Sequence, residues 1–342
     1  MTHLVTGGSG FLGNLMSRHL ATMGEAVRTL DIWEDASHLP DIEFINCSIL
    51  NREGVALAMK GVDVVYHMAA LVPVARASIR DSYQVNVEGT RIVVEEAARA
   101  NVKCFIHLSS SSIFGIPTRC PIDSKSLPKP VDPYGKSKLA SELAAEEIAH
   151  KTGMSLISIR PRTVLGEGRL GIFQLLFDWI KRDMDVYTMG SGNNTIQFIH
   201  ANDLISACLL LRDMGKSGSY NIGTDRYTTV RKMLESLINH AESHSQIKNL
   251  PESLTINMLK LFDKLDLIPL VPFHYLTYGK DFYCDLSPLA KLGWKPKYSN
   301  VEMLCESYDS FIRNHDQSMR VQNTSAHRKP VNEKLFWLLK QL

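Results

Sequence analysis

The sequence predicts an α/β protein built on a doubly wound parallel sheet, with a smaller carboxyl-terminal substrate lobe. Three observations carry that expectation. Gly7, Gly10 and Gly13 form a Gly-x-x-Gly-x-x-Gly turn between an apolar strand, His3-Leu4-Val5, and a helix whose Leu12, Leu15, Met16, Leu20 and Met23 fall three and four apart. A second strand, Ala26-Val27-Arg28-Thr29-Leu30, ends on Asp31, 21 residues after Gly10. Strand and helix patterns then alternate, as in successive βαβ units.

The glycine turn has a chemical reading. Its first glycine permits the tight turn, its second lets backbone approach a pyrophosphate, and its third lets the helix pack closely on the strand. The free N–H groups and positive dipole end of that helix suit phosphates. A carboxylate at Asp31 stands where it would accept hydrogen bonds from an adenosine ribose and repel a 2′-phosphate. The expected cofactor is therefore NAD rather than NADP.

Composition sets outer bounds. The chain has 342 residues, 44% hydrophobic and 22% charged, as expected of one large or two small globular domains. A net charge of +2 gives no reason to propose nucleic acid as a partner. Met1 directly precedes the first strand, so no signal peptide is expected, and no apolar run is long enough to span a bilayer. Cysteines 47, 104, 120, 208, 284 and 305 are scattered without a Cys-x-x-Cys pair. Free thiols in a reducing cytoplasm and no bound metal are the expectation.

A third strand is predicted around Glu43-Phe44-Ile45-Asn46, followed by a helix near Arg52 to Met59. Asp63-Val64-Val65-Tyr66-His67 is apolar throughout, the pattern of a strand buried on both faces. It delivers the small Met68-Ala69-Ala70 to the carboxyl edge of the sheet, where open parallel sheets bind ligands. A long helix, about Ile79 to Ala100, carries Asn86, which suits either a packing bridge to a neighbouring loop or a ligand contact. Cys104-Phe105-Ile106-His107-Leu108 then leads into Ser109-Ser110-Ser111-Ser112, with His107 expected in the core.

The next helix opens at Asp132-Pro133, a cap followed by proline in the first turn. Tyr134 and Lys138 are four apart and so share one face. An ammonium beside a phenol favours phenolate and lowers its pKa from about 10. Next to a serine-bearing strand edge, this pair is the leading candidate for acid/base work.

Together, Thr6 to Gly13, His67-Met68-Ala69-Ala70, Asn86, Ser109-Ser110 with Phe114-Gly115, and Tyr134-x-x-x-Lys138 resemble the extended branch of the short-chain dehydrogenase/reductase superfamily. Within it they resemble most the NAD-dependent epimerase/dehydratase family. The likeness continues through Arg160-Pro161, Phe198-Ile199-His200 with Asp203-Leu204, Tyr220-Asn221-Ile222-Gly223 and Leu292-Gly293-Trp294-x-Pro296, covering roughly residues 2 to 315. It implies a Rossmann core over 1–165, a substrate lobe interleaved with late core strands over 166–315, and a tail over 316–342. By that resemblance Tyr134 is the acid/base, Lys138 lowers its pKa and holds the nicotinamide ribose, and Ser110 hydrogen-bonds the reacting oxygen. The implied NAD contacts are Gly7, Gly10, Phe11, Leu12, Gly13, Asp31, Ile32, Ser48, Ile49, Met68, Ala69, Ala70, Asn86, Ser109, Tyr134, Lys138 and Pro161. A small-molecule substrate and a homodimer are expected.

Substrate class is set by departures from the family pattern. The dehydratases carry Asp-Glu where this chain has Ser111 and Ser112, so water elimination loses its usual acid and base. Many nucleotide-sugar epimerases have an Asn at the position of Thr163, and an Arg clamping the diphosphate at the position of Ile196. The apolar residue there, and Arg-Pro after the sixth strand, look more like the 3β-hydroxysteroid dehydrogenase relatives. Arg162, Arg169 and Arg226 are the nearby cations that could take the missing role. The leading expectation is a nucleotide-sugar epimerase, and the alternative is a dehydrogenase of an apolar alcohol.

Phe173 to Ile180 and Leu254 to Leu265 are apolar at helical spacing, suiting lobe core, or an apolar substrate wall including Phe173, Leu176, Met258 and Phe262. Asn300 to Asn314 reads as a closing helix. The final Lys334-Leu335-Phe336-Trp337-Leu338-Leu339-Lys340 could dock on its own domain, on a second subunit or peripherally on a bilayer.

Overall fold

The computed structural model describes residues 1–72, 79–169, 173–264 and 272–318. The first half runs β1 (Thr2–Thr6), α1 (Phe11–Thr22), β2 (Ala26–Asp31), β3 (Glu43–Asn46), α2 (Arg52–Ala58) and β4 (Val64–His67). Then come α3 (Ile79–Tyr83), a π-helical stretch over Gln84–Gly89, α4 (Thr90–Arg99), β5 (Cys104–Leu108), α5 (Pro133–Thr152) and β6 (Ser155–Pro161). The second half adds β7 (Thr163–Leu165), α6 (Phe173–Lys181), β8 (Val186–Met189), β9 (Thr195–Ile196), β10 (Phe198–His200), α7 (Ala201–Asp213) and β11 (Gly218–Ile222). It ends with β12 (Thr228–Thr229), α8 (Val230–His240), β13 (Ile247–Leu250), α9 (Glu252–Lys264), α10 (Pro272–Thr277), α11 (Ser287–Ala290) and α12 (Asn300–Ser318). The closing helix thus runs one turn beyond the expected Asn314. Leu265 and the apolar tail segment 334–342 lie outside the described residues.

Seven parallel strands form the central sheet in the order β11-β6-β5-β4-β1-β2-β3. The chain winds outward from β1 to β3 and then restarts at β4 on the other side of β1. That reversal makes β1 and β4 the switch point, where the loops leaving their carboxyl ends part into a crevice. Alternating side chains explain why helices cover both faces. Leu4, Val65 and Phe105 pack with α2, α4 and α5 residues, whereas Val5, Tyr66 and Ile106 pack with Met16, Leu20, Leu204 and Cys208 from α1 and α7. β11 comes late in the chain yet completes this sheet, so the amino-terminal core borrows a strand from the second half. The smaller lobe has its own core, in which Phe177 and Ile180 of α6 meet Met233 and Leu237 of α8 and Met303 and Tyr308 of α12.

The glycine turn is held between the strands. The Gly7 amide donates to the Leu30 carbonyl (2.8 Å) and the Gly10 amide to the Gly7 carbonyl (2.9 Å). A Cβ added at Gly13 would lie 2.0 Å from the Gly7 carbonyl oxygen, so only glycine allows α1 to start this close to β1. At Gly7, whose φ is +70°, a Cβ would sit 2.7 Å from the Ala69 amide nitrogen, closing the gap between the β1 and β4 loops. The six cysteines are all free thiols. Among the described residues no helix is long and apolar enough to cross a membrane.

Candidate active site

A cavity of about 720 Å³ opens at the switch point and extends into the smaller lobe. Every cofactor-contact residue expected from the sequence lines it except Asn86. Asn86 sits in the π-helical stretch, buried behind the wall. Its side chain accepts from the Leu71 amide (2.8 Å) and donates to the Leu71 carbonyl (3.1 Å) and the Ser137 hydroxyl (3.0 Å). Its geometry is that of the packing bridge, tying the loop after β4 to α5.

In the nucleotide half, Asp31 Oδ2 accepts from the Ser9 amide (3.0 Å) and Oδ1 from the Ile32 amide (2.7 Å). Burial raises the Asp31 pKa, with a smaller push from Asp35, while the two amides act in the opposite direction. The carboxylate thus ends β2 next to the glycine turn, where a 2′-phosphate would meet its charge. Asp31→Ala should therefore narrow the preference for NAD over NADP, measured as the ratio of their dissociation constants. Equal wild-type affinity for the two nucleotides would remove the assignment.

Local sequence sets up the catalytic candidates. Ser110 caps the 3₁₀ turn Ser111–Phe114, its Oγ accepting from the Ser112 amide at 3.1 Å. Asp132 caps α5, its Oδ1 accepting from the Gly135 amide at 2.7 Å, which places Tyr134 in the first turn and Lys138 one turn on. Burial pushes the Tyr134 phenol up to about 12, against smaller downward effects of the neighbouring Ser110 hydroxyl and the Arg169 charge. Lys138 is buried and pushed down to about 8, with Glu142 favouring its charge. The expected lowering of Tyr134 by Lys138 is not found: the charge that draws the phenol down is that of Arg169, and burial outweighs it. Beneath them, His67 bonds the Thr6 and Thr90 hydroxyls at 2.8 Å each, and burial holds it neutral, pushed down to about 3. His107 is buried in β5 as expected, with Nε2 on the Ser141 hydroxyl at 3.2 Å.

Beyond Tyr134 the wall is mostly apolar, with two arginines in it. Arg162 is 6% exposed, its guanidinium 4.0 Å from the Phe282 ring centre and 5.2 Å from that of Phe273. The Arg169 guanidinium stands 5.8 Å over the Phe11 ring. Burial lowers both guanidinium groups to about 10. His274 of α10 faces the same cavity, held near 4 by burial and then by the two arginine charges. Arg226 does not line the cavity: it pairs with Glu302 at 3.0 Å and bonds the Lys297 carbonyl. Ile196, Thr163, Phe173 and Leu176 line the wall, but Met258 and Phe262 do not. Thr255 and Leu259, four apart, are the α9 residues turned inward.

Sequence reading missed Trp33, Leu71, Val72 and His274, all of which line the cavity. Trp33 had a signal, being two residues beyond the strand-ending Asp31. His274 had none, because α10 reaches the cavity only through tertiary packing.

A sheet with a glycine turn at its switch point, and a half-buried Ser110 and Tyr134 with a buried Lys138 beside it, defines a dinucleotide-dependent oxidoreductase. The glycine cradle and the Asp31 carboxylate fit NAD. The model of the family described as "NAD dependent epimerase/dehydratase family" matches residues 3–223, and the chain belongs to that family. It is accordingly an enzyme of the extended short-chain dehydrogenase/reductase type, with NAD as cofactor. The chain is 40% identical to "Uncharacterized protein y4nG" of Sinorhizobium fredii over 340 residues, 99% of this chain and 85% of that protein. It is 25% identical to a UDP-glucose 4-epimerase of Halalkalibacterium halodurans, covering 94% of this chain and 99% of that protein. A sterol demethylase protein B of Methylococcus capsulatus is 27% identical over 69% of this chain and 74% of that protein. Among solved structures, the UDP-glucose 4-epimerase of Thermotoga maritima with UDP-glucose superposes with a TM-score of 0.75. At 23% identity, over 92% of this chain and 100% of that one, the likeness establishes the fold.

Proposed function

We propose that this enzyme interconverts epimers at a secondary alcohol of a phosphate-linked sugar, the class to which nucleotide-sugars belong. Residues 1–165 form the NAD-binding core in this reading and 166–315 the substrate lobe. Tyr134 takes the hydroxyl proton and returns it once the keto group has presented its other face. Ser110 donates to the reacting oxygen, and the Lys138 ammonium stabilises negative charge there and holds the cofactor ribose. NAD, when bound, supplies the hydride acceptor.

The observation that carries the substrate class is the presence of Arg162 and Arg169 on the cavity wall beyond Tyr134. Arg162 is 6% exposed and forms no ion pair among the described residues, and such a buried guanidinium is stabilised by an anionic ligand, which it can bind bidentately. These two residues take the place of the cation that Ile196 lacks. Arg162→Ala should raise the Michaelis constant for a phosphate-linked sugar by about 10-fold or more, with a smaller effect on turnover, because a remote anchor acts through uniform binding. An unchanged Michaelis constant would remove the phosphate from the proposal.

Ile196, Phe173 and Leu176 favour a second reading, a dehydrogenase of an apolar alcohol that releases its cofactor each turnover. Mass spectrometry of the purified protein separates the two: retained NAD supports epimerisation, and cofactor-free protein supports the dehydrogenase.

A further inference from the structure

The lobe's share of the cavity wall is unsuited to a nucleoside. Leu176, Trp179, Met189, Met233, Leu234 and Leu250 supply most of it. Five hydroxyls of the lining residues already donate to the chain itself. Thr188 donates to the Gly190 carbonyl (3.1 Å), Thr255 to that of Pro251 (2.9 Å) and Thr277 to that of Phe273 (2.7 Å). Tyr278 donates to the Tyr187 carbonyl (3.2 Å) and Tyr275 to Asp263 (3.0 Å). A base and ribose placed here would leave their own polar groups unpaired, which costs binding energy. The polar opposite lies toward Tyr134: Arg162 Nε and His274 Nδ1 are buried without a hydrogen-bond partner among the described residues. The Arg162 guanidinium and the nearby Arg169 charge suit an anion, to which His274 can donate in the tautomer protonated at Nδ1, and the wall next to them suits hydrocarbon.

We propose that the substrate is an anionic amphiphile, whose anionic group lies against Arg162, Arg169 and His274 and whose hydrocarbon chain lies along the apolar wall of α6, α8, β8 and β13. The inference rests on the anion reading above and replaces the nucleoside carrier with a lipid-like one. The reacting hydroxyl then sits on the headgroup, next to Tyr134.

The test titrates the NAD-loaded enzyme with hexyl, octyl and decyl phosphate below their micelle concentrations, and with UDP and decanol. Calorimetry gives the affinities, and Trp179 in the wall offers a fluorescence readout. Affinity should rise by about 15-fold for each two methylenes fully buried, as expected for hydrocarbon leaving water. Decyl phosphate should bind at least about tenfold tighter than either UDP or decanol. Arg162→Gln should cut decyl phosphate binding toward that of decanol while preserving the melting temperature and NAD affinity. UDP binding more tightly than decyl phosphate, and depending on Arg162, would overturn the amphiphile and leave the anion reading standing. Decanol binding as tightly as decyl phosphate, with no effect of Arg162→Gln, would overturn the anion reading itself. The wild-type ranking decides the matter even if the variant fails to fold.

Discussion

Tyr134→Phe is expected to lower turnover by about 10² or more while leaving NAD affinity nearly unchanged. The substitution removes one oxygen and keeps the ring that packs at the start of α5. What is lost is the phenol that lines the cavity beside Ser110. Burial pushes that phenol up to about 12 even with the Ser110 hydroxyl and the Arg169 charge drawing it down, so the protein by itself does not make a ready base. The positive charge of a bound oxidised cofactor would draw it down further. Calorimetric titration with NAD and a turnover assay on the substrate measure the two arms separately. Wild-type turnover in Tyr134→Phe would assign the proton to another group. Loss of NAD binding with the turnover would instead make Tyr134 a structural support of the cofactor site.

The parts of the site legible in the sequence are those fixed by local chemistry. Glycine spacing, a strand-ending carboxylate and a Tyr-x-x-x-Lys helix face depend on a few neighbouring residues and on regular helix or strand periods. The structure accordingly finds Gly7, Gly10, Asp31, Tyr134 and Lys138 around one cavity. Asn86 was harder, because its orientation follows from a π-helical stretch that the apolar period of a single long helix conceals. Choosing among the three arginines needed long-range information. Arg226 and Arg162 look alike in sequence, but only the structure pairs the first with Glu302 and stacks the second on Phe282. The α9 wall shows the same limit. Helical spacing identified an apolar helix, while its rotation, which turns Leu259 rather than Met258 inward, depends on the helices packed around it.

Lys138→Met is expected to lose turnover and cofactor affinity and yet to gain stability. The wild-type ammonium is buried, with Glu142 the one charge that offsets its desolvation, and its pKa falls from 10.5 to about 8. A lysine whose folded pKa lies below its unfolded value costs stability whenever it is charged in both states. At pH 7 that cost is on the order of 3 kcal/mol, and methionine fills a similar volume without it. The sign with pH follows. Between about 8 and 10.5 the unfolded chain binds more protons at this position than the folded one, so wild-type stability rises with pH across that window. Below 8 the full cost is present. Lys138→Met should therefore exceed the wild type most in denaturant unfolding at pH 7, and the gap should narrow by pH 10. A variant less stable than wild type at pH 7 would show that the ammonium is held by compensating partners rather than strained by burial. A more stable but inactive variant would mean that the fold tolerates this charge for the sake of the reaction, the trade expected of a catalytic lysine.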